Sequence, residues 1–180
     1  PFFNIFLEYG ADYVVHSAHK TLPAMTMGSY LHVGKHVDDF GKVESLLRML
    51  QSSSPSYPIL ASLDAARYFA ANLTEADLSY TQSAIKQFRE KLNHIEGITV
   101  LEHKALDILK ITLQADRTFT GYQLQAELKR HGIYTELADP LNVLLVMPIL
   151  KVGQVNNIDL PVQAIEQAVS RLKEEAEPKE

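Results

Sequence analysis

The sequence predicts an α/β chain in two parts, the end of a larger α/β domain followed by a small α+β domain. Three observations carry that expectation. Only two short strand-like runs precede residue 73, too few to form a sheet covered on both faces. Helical periodicity then dominates from Asp38 to Glu96. Beyond Gly97 the order becomes β-β-α-β-β-α, that of a small sheet with helices on one face. The expected boundaries are therefore 1–73 for the end of the large domain, 74–96 for a bridging helix, 97–176 for the small domain and 177–180 for a tail.

Residues 12 to 16, β-branched or aromatic from Tyr13 on, follow Gly10 and are too few for a helix, so they read as a buried strand. Residues 21 to 31 turn small and flexible before Tyr30-Leu31-His32-Val33 makes a second strand, joined to the first by a tight connection. Asp38-Asp39 opens a helix with Phe40, Val43, Leu46, Leu47 and Leu50 at helical spacing. Gln51-Ser52-Ser53-Ser54-Pro55 ends it as a loop. Leu60, Leu63, Ala66, Ala70 and Leu73 mark the next helix, and Thr74-Glu75-Ala76-Asp77 has the form of a cap on a longer one. There Ala84, Ile85, Phe88, Leu92 and Ile95 form one stripe before Gly97. Strands follow at 98–101 and 108–113, a helix at 120–131 stopped by Gly132, strands at 133–137 and 143–147, and a last helix at 160–174.

Composition narrows the function classes. A net charge of -5 and a pI near 5.8 lack the clustered Lys and Arg of a nucleic-acid or polybasic membrane surface. The expected partner is a small molecule or another protein chain. With no cysteine there is neither a disulfide framework nor a thiolate metal site, which fits a reducing cytoplasm. No apolar stretch approaches the length needed to cross a bilayer, so a soluble protein is expected. The start PFFNIFLEYG lies inside an apolar run without an initiator Met and reads as a processed or partial chain.

The chemistry centres on HSAHKTL, residues 16 to 22. A lysine at the carboxyl end of a buried strand stands where open α/β sheets bind ligands. Desolvation there would free the amine of its proton and let it attack an aldehyde. Ser17, His19 and Thr21 can all donate hydrogen bonds to an anion, so the set suits a phosphorylated aldehyde.

GADYVVHSAHKTLPAMTMGSYLHV, residues 10 to 33, resembles the active-site lysine segment of the ornithine, lysine and arginine decarboxylases. LQSSSPSYPILASLDAAR, residues 50 to 67, is similar to that family's Gln-Ser-Ser-Ser-Pro-Ser-Tyr stretch and the helix after it. GYQLQAELKRHGIYTELAD, residues 121 to 139, is similar more weakly to its small domain. The resemblance implies fold type I, the aspartate-aminotransferase type, with pyridoxal 5'-phosphate as cofactor. It implies that Lys20 holds the cofactor as a Schiff base and that Lys20 or His19 returns a proton to the product carbon. Ser17 and His19 would contact the phosphate, and the loop bearing Ser52 and Ser53 would add a hydroxyl across the interface of a homodimer. The implied reaction is decarboxylation of lysine, arginine or ornithine to an amine of polyamine metabolism. In that family the aspartate that pairs with the pyridine nitrogen lies upstream of the lysine, in a segment these 180 residues do not contain. The chain alone is therefore expected to be inactive. A decarboxylase-like binding or regulatory subunit and an aminotransferase of the same fold are the alternatives.

Other groups read more plainly. His32 and His36 are four apart, but the strand before Gly34 spoils a helical metal pair, and no metal site is expected. Met25 and Met27 read as core filling, Tyr57 as packing, and Lys129-Arg130 as a basic turn that complements a helix dipole. Arg117 and Arg130 are conceivable carboxylate clamps for the aminotransferase alternative.

Overall fold

The computed structural model describes residues 5–176, and the chain divides into two compact units, Pro1–Leu73 and Thr74–Glu180. The tail at 177–180 lies outside the described residues. In the first unit a single helical turn, α1 (Ile5–Glu8), precedes strand β1 (Tyr13–Ser17), one turn of 3-10 helix (Ala18–Lys20) and strand β2 (Ser29–Val33). The two strands pair antiparallel, with Val14 opposite His32 and His16 opposite Tyr30. Side chains alternate across a strand, so those four share one face. The first strand is where the sequence places it, but it is not buried: Tyr13 is exposed, and Val15 is 70% exposed. A ribbon of two strands leaves the opposite face, that of Tyr13 and Val15, without a covering layer among the described residues.

Helix α2 (Gly41–Leu50) starts after Asp39, whose Oδ1 accepts the Gly41 N–H at 2.8 Å. None of its residues is buried, and Leu46, Met49 and Leu50 stand exposed. Helix α3 (Tyr57–Ala71) buries Ala66. Met25, Met27 and Tyr57 correct the expectation of packing, since all three are exposed. The loop from Thr21 to Gly28 meets α3 through its backbone, with the Met25 N–H donated to Ser62 Oγ at 3.1 Å, and so leaves both methionine side chains outside.

The second unit begins with helix α4 (Glu75–Leu92), opened by a capping box. Thr74 Oγ1 accepts the Asp77 N–H at 3.2 Å, and Asp77 Oδ2 accepts the Thr74 N–H at 2.9 Å. The helix ends at Leu92 rather than near Glu96, because the chain tightens into i→i+3 bonds from His94 to Lys91 and from Ile95 to Leu92. The sheet has order β3-β4-β6-β5, formed by β3 (Ile98–Val100), β4 (Lys110–Ala115), β5 (Leu137–Ala138) and β6 (Asn142–Val146), with every pair antiparallel. Strand β4 starts later than the apolar run suggests, because Asp107 Oδ1 takes the Leu109 N–H at 3.0 Å and holds a turn there.

Helix α5 (Gly121–Arg130) closes with Ile133 N–H on Leu128 O at 2.9 Å and Gly132 N–H on Lys129 O at 3.1 Å. That double bond pattern needs a left-handed residue between, supplied by Gly132 at φ +78°. Ile133 is consumed by the cap, and of the expected 133–137 run only Leu137 reaches the sheet edge, where β5 is Leu137–Ala138. Ile111, Leu113 and Ala115 alternate inward and meet Ile85, Phe88 and Leu92 of α4, Leu124 and Leu128 of α5, and Ile165, Val169 and Leu172 of α6 (Asp159–Ala176). This is one continuous core. No helix among the described residues is long and apolar enough to cross a membrane.

Candidate functional site

HSAHK folds as the end of a strand and one tight turn. Ser17 is the last residue of β1 and precedes the 3-10 turn, and its hydroxyl makes no capping bond. Ala18 is buried, its N–H donated to Gly28 O at 3.0 Å, and Leu22 N–H returns to Ala18 O at 2.8 Å. His19 is half-buried and its Nδ1 lies 3.2 Å from the same Gly28 carbonyl. A carbonyl oxygen only accepts, so Nδ1 carries the proton and a neutral ring keeps its lone pair on Nε2. Lys20 closes the turn and is exposed. The desolvation expected of a strand-end lysine is not supplied by the described residues, because the strand that leads to it is itself uncovered.

Ser52 and Ser53 sit in the exposed loop between α2 and α3. Ser52 Oγ accepts the Ser54 N–H at 3.1 Å and donates to Ser54 O at 3.3 Å, a local turn in which a hydroxyl substitutes for backbone bonds. Ser17, His19 and Lys20 are thus brought together by one turn. Ser52 is bonded within its own loop.

Four residues that sequence reasoning missed shape this turn. Gly28 supplies the carbonyl shared by Ala18 and His19, Ser62 receives the Met25 N–H, and Tyr30 donates its hydroxyl to Leu63 O at 2.6 Å. These contacts span 33 to 37 positions between the loop or β2 and α3, beyond the reach of local periodicity. The signal that existed was Gly28 itself, a glycine ahead of a strand. Burial holds the Tyr30 hydroxyl above its ordinary value, opposed by the Arg67 charge. On the same face of the ribbon the His16 and His32 rings lie edge to face at 5.0 Å. Burial, and then the neighbouring His16, push His32 below the usual histidine range. His36 is elsewhere, paired with Asp12 at 2.8 Å.

The charged groups of the second unit hold its elements together. Glu127, 2% exposed, takes Arg130 at 2.6 Å and Arg171 at 3.1 Å, which joins α5 to α6. Arg130 is therefore engaged by Glu127. Asp77 is held below the usual carboxylate range by the Thr74 N–H first and the Val152 N–H second. With Thr81, which bonds both the carbonyl and the N–H of Leu150, it ties the 150–152 segment to α4.

The Orn/Lys/Arg decarboxylase, major domain, matches residues 8–123 by its family profile. The uncharacterized protein YaaO of Bacillus subtilis (strain 168) is 45% identical over 155 residues, 83% of this chain and 32% of YaaO. An arginine decarboxylase of the same organism is 30% identical over 179 residues, 94% of this chain and 36% of that protein. The chain thus spans about a third of the length of the curated relatives it matches. Among solved structures, lysine decarboxylase A from Pseudomonas aeruginosa aligns with a TM-score of 0.68 at 19% identity, over 90% of this chain and 28% of that one. The constitutive lysine decarboxylase of E. coli gives 0.65 at 19%, with the same coverage.

Proposed function

The chain belongs to the Orn/Lys/Arg decarboxylase family and has the α/β fold of type I; from that premise we propose that it carries the Schiff-base lysine, Lys20, of a pyridoxal-phosphate-dependent decarboxylase of basic amino acids. The observation that carries this reading is the turn itself. One strand end and one 3-10 turn present a hydroxyl free of capping, an imidazole oriented by a carbonyl and an exposed amine, in the order Ser17, His19, Lys20. The chemistry of that donor set fits a phosphorylated aldehyde: two groups for the phosphate and one for the aldehyde carbon.

When bound, pyridoxal phosphate would supply an electron sink for loss of the substrate carboxylate. The chain's own residues have narrower roles. Lys20 Nζ would hold the cofactor at its aldehyde carbon, and when not so engaged its amine would be free to carry a proton to the product carbon. Ser17 Oγ would donate to a phosphate oxygen. His19 keeps Nδ1–H on Gly28, and once Nε2 takes a proton it presents a second N–H to an anion or to the product carbon. Ser53 offers an exposed hydroxyl, whereas Ser52 must release the Ser54 carbonyl before it can donate elsewhere.

Val15, Met25, Met27 and Leu50 leave a large share of the first unit's apolar surface in water, and exposed apolar surface of this kind marks an interface. That supports a homodimer with the site at the subunit boundary, where the remaining cover for Lys20 would come from other parts of the protein or a second copy. The test is carbon dioxide release from lysine, arginine and ornithine by the protein that carries this chain. Release from one of the three, abolished by Lys20→Ala, is the expected result. Release that survives Lys20→Ala would overturn the assignment, and no release from any of the three would favour a binding or regulatory subunit.

A further inference from the structure

The Gly28 carbonyl is the point through which the lysine turn is held. It accepts Ala18 N–H at 3.0 Å and His19 Nδ1–H at 3.2 Å, so it fixes both the first residue of the turn and the ring next to Lys20. Gly28 is in turn pressed against α3. A Cβ placed there would lie 2.8 Å from Leu63 Cδ2, 3.2 Å from Leu63 Cγ and 3.2 Å from the Met25 carbonyl oxygen, so a side chain at this position enters only if Leu63 shifts. The segment around it is anchored to the same part of α3 on both sides. Met25 N–H is donated to Ser62 Oγ, which itself donates to Ile59 O at 2.8 Å, and Tyr30 O–H is donated to Leu63 O. Between those anchors Met27 holds φ +78°, a conformation a residue with a side chain keeps only where its surroundings impose it.

We propose that Ser62 and Leu63 of α3 are positioning residues for the cofactor lysine, acting through Gly28 to fix the His19 tautomer and the direction of Lys20. This role rests on the reading of Lys20 and His19 given above. Neither residue touches the reacting atoms. Each sets where Gly28 O lies, and a displacement there is passed through two hydrogen bonds to the groups that do the chemistry. Small misplacements of reacting groups cost rate far out of proportion to their size.

The test uses the protein that carries this chain, with nitrogen-15-labelled histidine. Ring nitrogen shifts should show neutral His19 protonated on Nδ1. Gly28→Val, which drives side-chain carbon into Leu63, should mix the tautomers. It should also slow borohydride-trappable attachment of pyridoxal phosphate to the Lys20 peptide by roughly tenfold to a hundredfold. Adding Leu63→Ala makes room, and should restore both readouts. Ser62→Ala, which removes one anchor without a clash, should move both in the same direction by a smaller factor and covers the case in which Gly28→Val does not fold. Wild-type His19 protonated on Nε2 would overturn the proposal. So would a Gly28→Val or Ser62→Ala chain of lowered melting temperature whose tautomer and trapping rate stay those of the wild type. Trapping at a lysine other than Lys20 would refute the preceding functional reading instead, and the tautomer shifts would still decide the contact between α3 and the turn.

Discussion

Among the described residues the first unit buries three apolar side chains, Ala18, Leu22 and Ala66, whereas the second gathers nineteen, from Ile85 to Leu172, into one core. The first holds its lysine turn by single hydrogen bonds to one helix, and its strands form a ribbon of two. The second closes a four-stranded sheet under three helices and caps α4 and α5 with reciprocal boxes. The groups suited to chemistry lie in the unit with little core of its own. Binding groups are commonly carried on irregular segments that a rigid scaffold positions, and here the scaffold of the lysine turn is mainly α3.

The contrast makes its largest prediction in the cores. Leu124→Ala removes a fully buried side chain from the second unit and should cost about 2 to 5 kcal/mol by denaturant unfolding. Leu22→Ala lies outside that core cluster and should cost less than about 2 kcal/mol, the smaller loss expected where the surroundings can collapse around the lost atoms. Equal losses would break the comparison. Acid gives the next effect. Asp77, Asp116 and Asp139 are all held below the ordinary carboxylate range, Asp116 chiefly by the Thr118 hydroxyl and Asp139 chiefly by the Asn142 amide. A depressed folded-state value contributes stability that is present above the unfolded value and is lost as pH falls through the folded one. Unfolding of the second unit should therefore become easier below about pH 4, and amide exchange of β4 and β6 across that range would show it. The smallest change is Thr74→Ala, which opens one capping box and should lower stability by roughly 1 kcal/mol.

Regular elements were legible where one local rule decided them. The Thr74 cap and the Gly132 stop are both written in adjacent residues. Boundaries moved where a side chain intervened, as Asp107 did ahead of β4 and the α5 cap did ahead of β5. Burial was not legible in the first unit. Met25, Met27 and Tyr57 are apolar enough to suggest a core, yet the contacts that would cover them are not made among the described residues. For the site, HSAHK showed which groups are present, but not that Gly28 and α3 hold them. That information lies in contacts nine and ten positions apart for Gly28 and more than thirty apart for α3.

Attachment of the cofactor to Lys20 is read by borohydride reduction of the protein mixed with pyridoxal phosphate, followed by peptide mass mapping. A pyridoxyl group is expected on the peptide that contains Lys20, absent in Lys20→Ala while the rest of the map is unchanged. A pyridoxyl group that persists in Lys20→Ala, or that never appears on that peptide in the wild type, would contradict that assignment.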